Sequence, residues 1–305
     1  VAGVPTLERE RESRKVTTYL PDNSLRNGYW SLLGDIVREL NSTRWLTYQL
    51  FRRDLFAFYK QSLLGAFWVV FVPLVTVGTF IVLKGSGVVA VGTVDAPYPV
   101  YAAVGIGIWQ LFSQGLISGA NSLVAGGEMI TRINFSKKSL IIASMGRSVV
   151  SFVVVVILFA LLLGYYATQG YALPLAPTLL LVPLALLPMV FITMGLSFYL
   201  ALINGVVRDV GTMLGMVLTF LMLLTPVLYE RPRLEPGAAD MARLLDSITE
   251  YNPLYYLVAA PRELLFTGTV TELAPFLISS GASVLLFLVS IVGFHLTETR
   301  IAERI

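Results

Sequence analysis

The sequence predicts an all-α integral membrane protein: six transmembrane helices per subunit, an N-terminal amphipathic interface helix, and two short re-entrant helices between spans five and six. Two observations carry this. Apolar residues make up 56% of the chain and charged residues 13%, whereas a soluble domain carries about 25% charged residues to cover its surface. The charges are also unevenly placed. No Asp, Glu, Lys or Arg lies between Asp95 and Glu128, or between Arg147 and Arg208. Stretches that long favour hydrocarbon over water as the solvent.

Residues 1–40 read as a polar cytoplasmic lead broken by Pro5 and Pro21, with a helical pattern beginning near Ile36. Residues 41–62 form the interface helix. Trp45, Tyr48, Phe51, Leu55 and Phe58 recur at steps of three and four, while Gln49, Arg53 and Lys60 mark another face. An aromatic stripe beside basic residues suits a helix lying in the membrane interface, and equally one packed on protein. No signal peptide is expected, because Glu8–Lys15 is a mixed-charge run without an apolar core behind it.

Residues 63–305 are read as the six-span domain, since crossing the hydrocarbon takes roughly 20 apolar residues. The first span covers Ala66–Leu83 with Pro73 inside it, and the second lies within Tyr98–Ala125. The turn-rich run Tyr165–Pro177 divides the next apolar stretch into a third span, Val149–Leu163, and a fourth, Thr178–Ile203. The fifth covers Val210–Tyr229 and the sixth Leu273–Leu296.

Basic residues set the orientation. The lead contains Arg9, Arg11, Arg14, Lys15, Arg26, Arg38, Arg44, Arg52, Arg53 and Lys60, and the connection after span two contains Arg132, Lys137 and Lys138. Residues 230–272 hold four Arg against seven Asp and Glu. By the positive-inside rule both termini face the cytoplasm. Within that external segment, Ala238–Glu250 reads as one short helix. A second, Leu254–Phe266, is capped by Asn252, has Pro253 at its first position and stops at Gly268. Its tyrosines and leucines place both helices at the outer membrane edge, where irregular backbone is tolerated if protein covers it.

The residue types present exclude more chemistry than they supply. There is no cysteine, and one histidine, His295, cannot build a usual zinc site; no metal is expected. No Gly-Lys pair occurs, so there is no phosphate-binding GxxxxGK[ST] loop, and neither GxSxG nor HExxH is present. No carboxylate pair lies inside a span, which disfavours catalysis and proton-coupled transport. The chain is therefore expected not to be an enzyme, with any driving energy supplied by another polypeptide. No nucleic-acid partner is expected.

Three patterns allow two readings each. Glu128, Met129, Ile130, Arg132, Ile133 and Phe135 mix apolar and basic character: a helix that plugs into a partner, or a basic anchor at lipid headgroups. The GxxxG pairs Gly115–Gly119 and Gly211–Gly215 suit either a subunit contact, assigned to Gly211 and Gly215, or packing within the protomer. Tyr98, Tyr101, Trp109, Phe112, Tyr229, Tyr251, Tyr255 and Tyr256 suit sugar rings at a channel or outer mouth, or the aromatic belt of any membrane protein.

Tyr59–Trp68 followed by Pro73, Pro97–Tyr101, Trp109–Phe112, Asn121–Val124 and Tyr251–Tyr256 with Arg262 together resemble the polysaccharide-export permeases of the ABC transporter superfamily. These include O-antigen, teichoic-acid and capsule permeases, and the similarity runs over about residues 40–300. The resemblance implies a homodimer bound to two ATP-binding subunits that carry ATP and Mg, with no cofactor in this chain. It implies export of a lipid-linked polysaccharide through a channel on the dimer axis, among membrane lipids. Residues 43–60 become the gate helix and 128–136 the helix touching the ATPase. Phe51, Arg52, Arg53, Tyr59 and Lys60 then stand where substrate enters, the three basic residues facing a lipid-linked pyrophosphate. The alternatives are another ABC exporter, of drug, lipid or haem, or a membrane enzyme acting on lipid-linked sugars. The longer lead, residues 1–40, departs from the family pattern.

Overall fold

The computed structural model describes residues 29–60, 65–86, 96–132, 135–171, 177–229, 231 and 240–301. Within them lie α1 (Tyr29–Ser42), α2 (Arg44–Lys60), α3 (Gly65–Gly85), α4 (Tyr98–Ala125), α5 (Gly127–Arg132) and α6 (Lys137–Thr168). A 3-10 turn, Pro177–Leu181, leads into α7 (Val182–Val206), followed by α8 (Asp209–Leu224), α9 (Asp240–Glu250), α10 (Pro253–Phe266) and α11 (Leu273–Ile301). Among the described residues, four apolar helices are long enough to cross a membrane: Tyr98–Ala125, Lys137–Thr168, Pro177–Val206 and Leu273–Glu298. Two shorter apolar helices, Val70–Gly85 and Asp209–Leu224, complete the six-helix bundle.

The helix α4 is the axis of the bundle. Its most apolar window is 78% buried, against 17% for α6 and 22% for α11. It packs most extensively on α6 and α7, while α7 also packs on α11, and α3 and α8 flank it. Small residues make this possible. Without a hydrophobic force between helices in lipid, association relies on close backbone approach. A Cβ added at Gly115 would press on Thr193 and Ser148, and one at Gly119 would overlap Ser197. The Gly115–Gly119 pair is therefore used inside the protomer. Most buried hydroxyls on these helices donate back to their own turns, as Ser148 to Met145 O and Thr193 to Met189 O, while Ser197 Oγ and Gln110 Oε1 are buried without a hydrogen-bond partner in the protomer.

Element boundaries differ from the sequence reading in three places. Helix begins at Tyr29, so the end of the lead is an ordered amphipathic helix with Leu32 and Ile36 buried. The third span is much longer than Val149–Leu163. At 32 residues α6 extends about 48 Å, well beyond the ~30 Å hydrocarbon, so its first turns stand outside it. The fifth span stops at Leu224, not Tyr229, because Pro226 forces Thr225 into extended conformation (φ −97°, ψ 124°). The two helices between spans five and six form as expected. Asn252 Oδ1 accepts the Leu254 N–H at 3.0 Å, Pro253 opens α10, and Gly268 takes φ +75° just beyond its end. Residues 232–239, including the expected start of α9 at Ala238, lie outside the described set.

Candidate functional site

Two ends of the bundle carry the polar residues. At the basic end, α1, α2, α5, the start of α6 and the end of α11 surround a small second core built on Ile36, Leu50, Leu123, Leu140, Ile141, Phe198 and Phe294. Lys138 is wholly buried here, with Nζ 3.0 Å from a Glu39 carboxylate oxygen and 2.7 Å from Glu298. Burial works to raise the Glu39 carboxyl, but the Ser136 hydroxyl and the Lys138 ammonium beside it prevail and hold it below the usual carboxylate range. His295 Nδ1 lies 3.7 Å from Glu39 and 3.8 Å from Glu298. Atoms of Glu39, His295 and Glu298 gather within 4.8 Å, but the ammonium already lies between the carboxylates, which makes this an ion-pair cluster.

The short helix α5 hangs from this core. Met129, Ile130 and Phe135 are half-buried against it, so these side chains anchor the helix inward instead of projecting toward a partner. Glu128, Thr131 and Arg132 are what it exposes, with Glu128 and Arg132 4.0 Å apart across one turn. Ile133 lies outside the described residues.

The interface helix α2 turns a different face inward than its aromatic stripe suggests. Leu50 is buried and Phe51 packs where Gly146 of α6 has no side chain, while Trp45 and Tyr48 stay outside at 68% and 52% exposure. Arg52 lies 5.6 Å from the Phe56 ring, and Arg53 pairs with Asp54 at 2.8 Å and reaches the Met129 sulfur at 3.3 Å. Both arginines are exposed, and Arg53 ties α2 to α5. The side chains of Tyr59 and Lys60 lie outside the described residues.

At the opposite end most of the singled-out aromatics are structural. Tyr98, Tyr101, Trp109 and Phe112 are buried in the main core, as are Tyr255 and Tyr256. Tyr98 donates to Leu228 O at 3.2 Å, Tyr229 to Leu223 O at 2.8 Å and Tyr256 to Glu250 O at 2.7 Å. Tyr251 alone of this group stands out, 84% exposed. Burial pushes the Tyr256 hydroxyl up. Arg231 binds Asp246, Glu250 and Glu272; its hydrogen bond holds the Asp246 carboxyl below the usual range. Arg262 is buried, donates to Val227 O at 2.8 Å and lies 4.2 Å above the Tyr101 ring.

The profile described as "ABC-2 type transporter" matches residues 46–266, most of the chain. The chain belongs to the ABC-2 type transporter family. It is 25% identical to the O-antigen export system permease protein RfbA of Myxococcus xanthus over 88% of this chain and 99% of that one. It is also 25% identical to a protein of the same description from Klebsiella pneumoniae, over 82% of this chain and 91% of the relative.

This ABC-2 permease is thus a multi-pass membrane protein without a nucleotide-binding motif, of a family that works with ATP-binding partners. Its α3 and α8 leave broad apolar faces uncovered: Phe67, Trp68, Val72 and Val82 on the former, and Met213, Met216, Val217 and Phe220 on the latter. The two glycines of α8 differ. A Cβ at Gly211 would overlap Asn121 within the protomer, whereas Gly215 has nothing within 4 Å and sits on the open face. Sequence reasoning missed Lys138 as a buried hub. Its only sequence signal is Lys138 opening a long apolar run, a position where a headgroup anchor would look identical.

Proposed function

We propose that the chain is the membrane-spanning subunit of an ATP-driven exporter of polysaccharide or lipid-linked glycan, of the O-antigen, teichoic-acid or capsule kind. It acts as a homodimer with two ATP-hydrolysing subunits, which supply ATP and Mg, and both termini face the cytoplasm of a bacterial inner membrane. The observation that carries this reading is the near full-length match to permeases described as O-antigen exporters. The structure supplies parts that suit it. The helix α5 offers a polar tip, Glu128, Thr131 and Arg132, on an apolar mount, as a docking element toward the ATPase requires. The uncovered faces of α3 and α8, with Gly215, suit a second copy across a channel. Arg52 and Arg53, exposed at the same end as α5, suit an anionic lipid-linked pyrophosphate. At the far end Tyr251 offers an exposed ring to sugar.

The test is to purify the tagged chain with the ATPase encoded beside it and to measure ATP hydrolysis with and without lipid-linked glycan. A stable complex whose hydrolysis responds to glycan is expected. A well-folded preparation that binds no ATPase would sink the reading.

A further inference from the structure

Asn204, 1% exposed near the end of α7, holds two other helices at once. Its Nδ2 donates to the Ala120 carbonyl and to Asn121 Oδ1, each at 3.0 Å, in the last turns of α4. Its Oδ1 accepts the backbone N–H of Gly211 at 2.9 Å, in the first turn of α8. The orientation of this carboxamide is fixed by its main-chain partners, since a carbonyl only accepts and an N–H only donates. The Gly211 N–H is one of those a helix start leaves without an intrahelical partner, so Asn204 caps α8 from outside the helix. The absent side chain of Gly211 lets α8 approach Asn121 directly.

What lies on either side gives this knot its meaning. Asn121 belongs to the turn that leads straight into α5, with the Gly126 N–H donating to Ser122 O at 2.9 Å at the junction. Near the knot the helix α8 is lightly held: it buries only Leu214 and Leu218, packs Leu221 and Met222 partly on the core toward its far end, and exposes a wide apolar face. Away from water, a broken hydrogen bond has no solvent to replace it, so segments joined this way move together.

We propose that Asn204 is the joint that delivers displacement of α5 to α8, so that α8 tilts with the end of α4 instead of the turn at Val207–Arg208 absorbing the movement. This rests on reading α5 as the docking helix for the ATPase. Asn204 is a positioning residue and touches no substrate.

The chain has no cysteine, so introduced pairs label cleanly. Spin labels at Ala125→Cys with Leu285→Cys report on α5 through its junction with α4, clear of the docking tip, and at Met216→Cys with Leu285→Cys on α8; all three positions are exposed. In the full complex with the ATPase, both distances are expected to shift on adding a non-hydrolysable ATP analogue. In Asn204→Leu the α5 distance still shifts and the α8 shift is lost. ATP hydrolysis persists while glycan exported per ATP falls by about 2- to 30-fold. Should Asn204→Leu fail to assemble, Asn121→Ala removes one acceptor of the same knot and is expected to reduce the α8 shift. An undiminished α8 shift in the assembled variant, with α5 responding, overturns this inference alone. An α5 distance that ignores nucleotide in the native complex overturns the docking reading, and this inference with it.

Discussion

The guanidinium of Arg262, in α10, donates to the main-chain carbonyl of Val227 at 2.8 Å, and Val227 O also closes on Gly105 of α4. One carbonyl thus joins α10, the turn after α8 and the central helix. Arg262 is buried and stacked above Tyr101, so its removal leaves the carbonyl without a donor and a gap over the ring. Arg262→Met is expected to cost about 2–4 kcal/mol. Arg262→Lys should recover only part, because an ammonium lacks the flat face that stacks on tyrosine. Thermal unfolding in detergent measures both. An Arg262→Met protein as stable as the parent would show that Val227 is held by other contacts.

The Gly105 side of the same contact gives a second prediction. A methyl group there meets the Val227 main chain, which cannot swing away as a side chain would. Gly105→Ala should therefore cost roughly 1–3 kcal/mol or more. Gly281, also within a long helix, has nothing within 4 Å, so Gly281→Ala should be neutral or slightly stabilising. Expression and melting temperature of the pair, compared side by side, test whether close approach or glycine content matters.

The cluster at the basic end yields a third. Lys138→Met leaves two carboxylates, Glu39 and Glu298, facing each other beside a hydrophobic core, and should cost about 3–5 kcal/mol. Adding Glu39→Gln and Glu298→Gln should restore much of that loss, since the damage is uncompensated charge. The pH dependence has a definite sign. The Glu39 carboxyl is depressed in the folded protein, so its contribution is complete at neutral pH. It declines only as pH falls below the ordinary value of 4.5 through the folded one. A melting temperature that stays flat in this acid range for the parent, with no difference from Lys138→Met, would contradict the assignment.

These residues also show what could be read beforehand. The Asn252–Pro253 helix start is local chemistry, complete within three positions, and it folds as its sequence dictates. Spans follow from hydrocarbon-length apolar runs for the same reason. The end of span five was present in the sequence as Pro226, but hydropathy alone runs through it to Tyr229. Lys138 is different in kind: its partners lie 99 and 160 residues away, and no periodicity connects them. The aromatic residues of α4 mislead because a belt, a channel lining and a core all favour tyrosine and tryptophan. What decides is that the glycines and alanines of α4 draw neighbours close on every side, and this buries Tyr98, Tyr101 and Trp109.

The division of α5 into mount and tip gives the last prediction. Met129 and Ile130 face the protein while Glu128 and Arg132 face out, so changes on the two sides should separate stability from partner binding. Met129→Asp places a charge against the second core, offset only in part by pairing with Arg53, and should lower the melting temperature by an amount matching roughly 1–3 kcal/mol. The double reversal Glu128→Lys with Arg132→Glu keeps the one-turn pairing and touches no core residue, so it should leave folding within about 0.5 kcal/mol of the parent. If α5 docks on an ATPase, that same reversal presents the wrong charge at each position. Rim charges act mainly on association, so the expected result is a slower and more salt-sensitive assembly with the ATPase at unchanged protein stability. Binding kinetics at two ionic strengths, beside a melting curve, measure this. Unaltered association by the reversed tip would move the docking surface away from α5, whereas a loss confined to Met129→Asp would mean that α5 matters only as part of the fold.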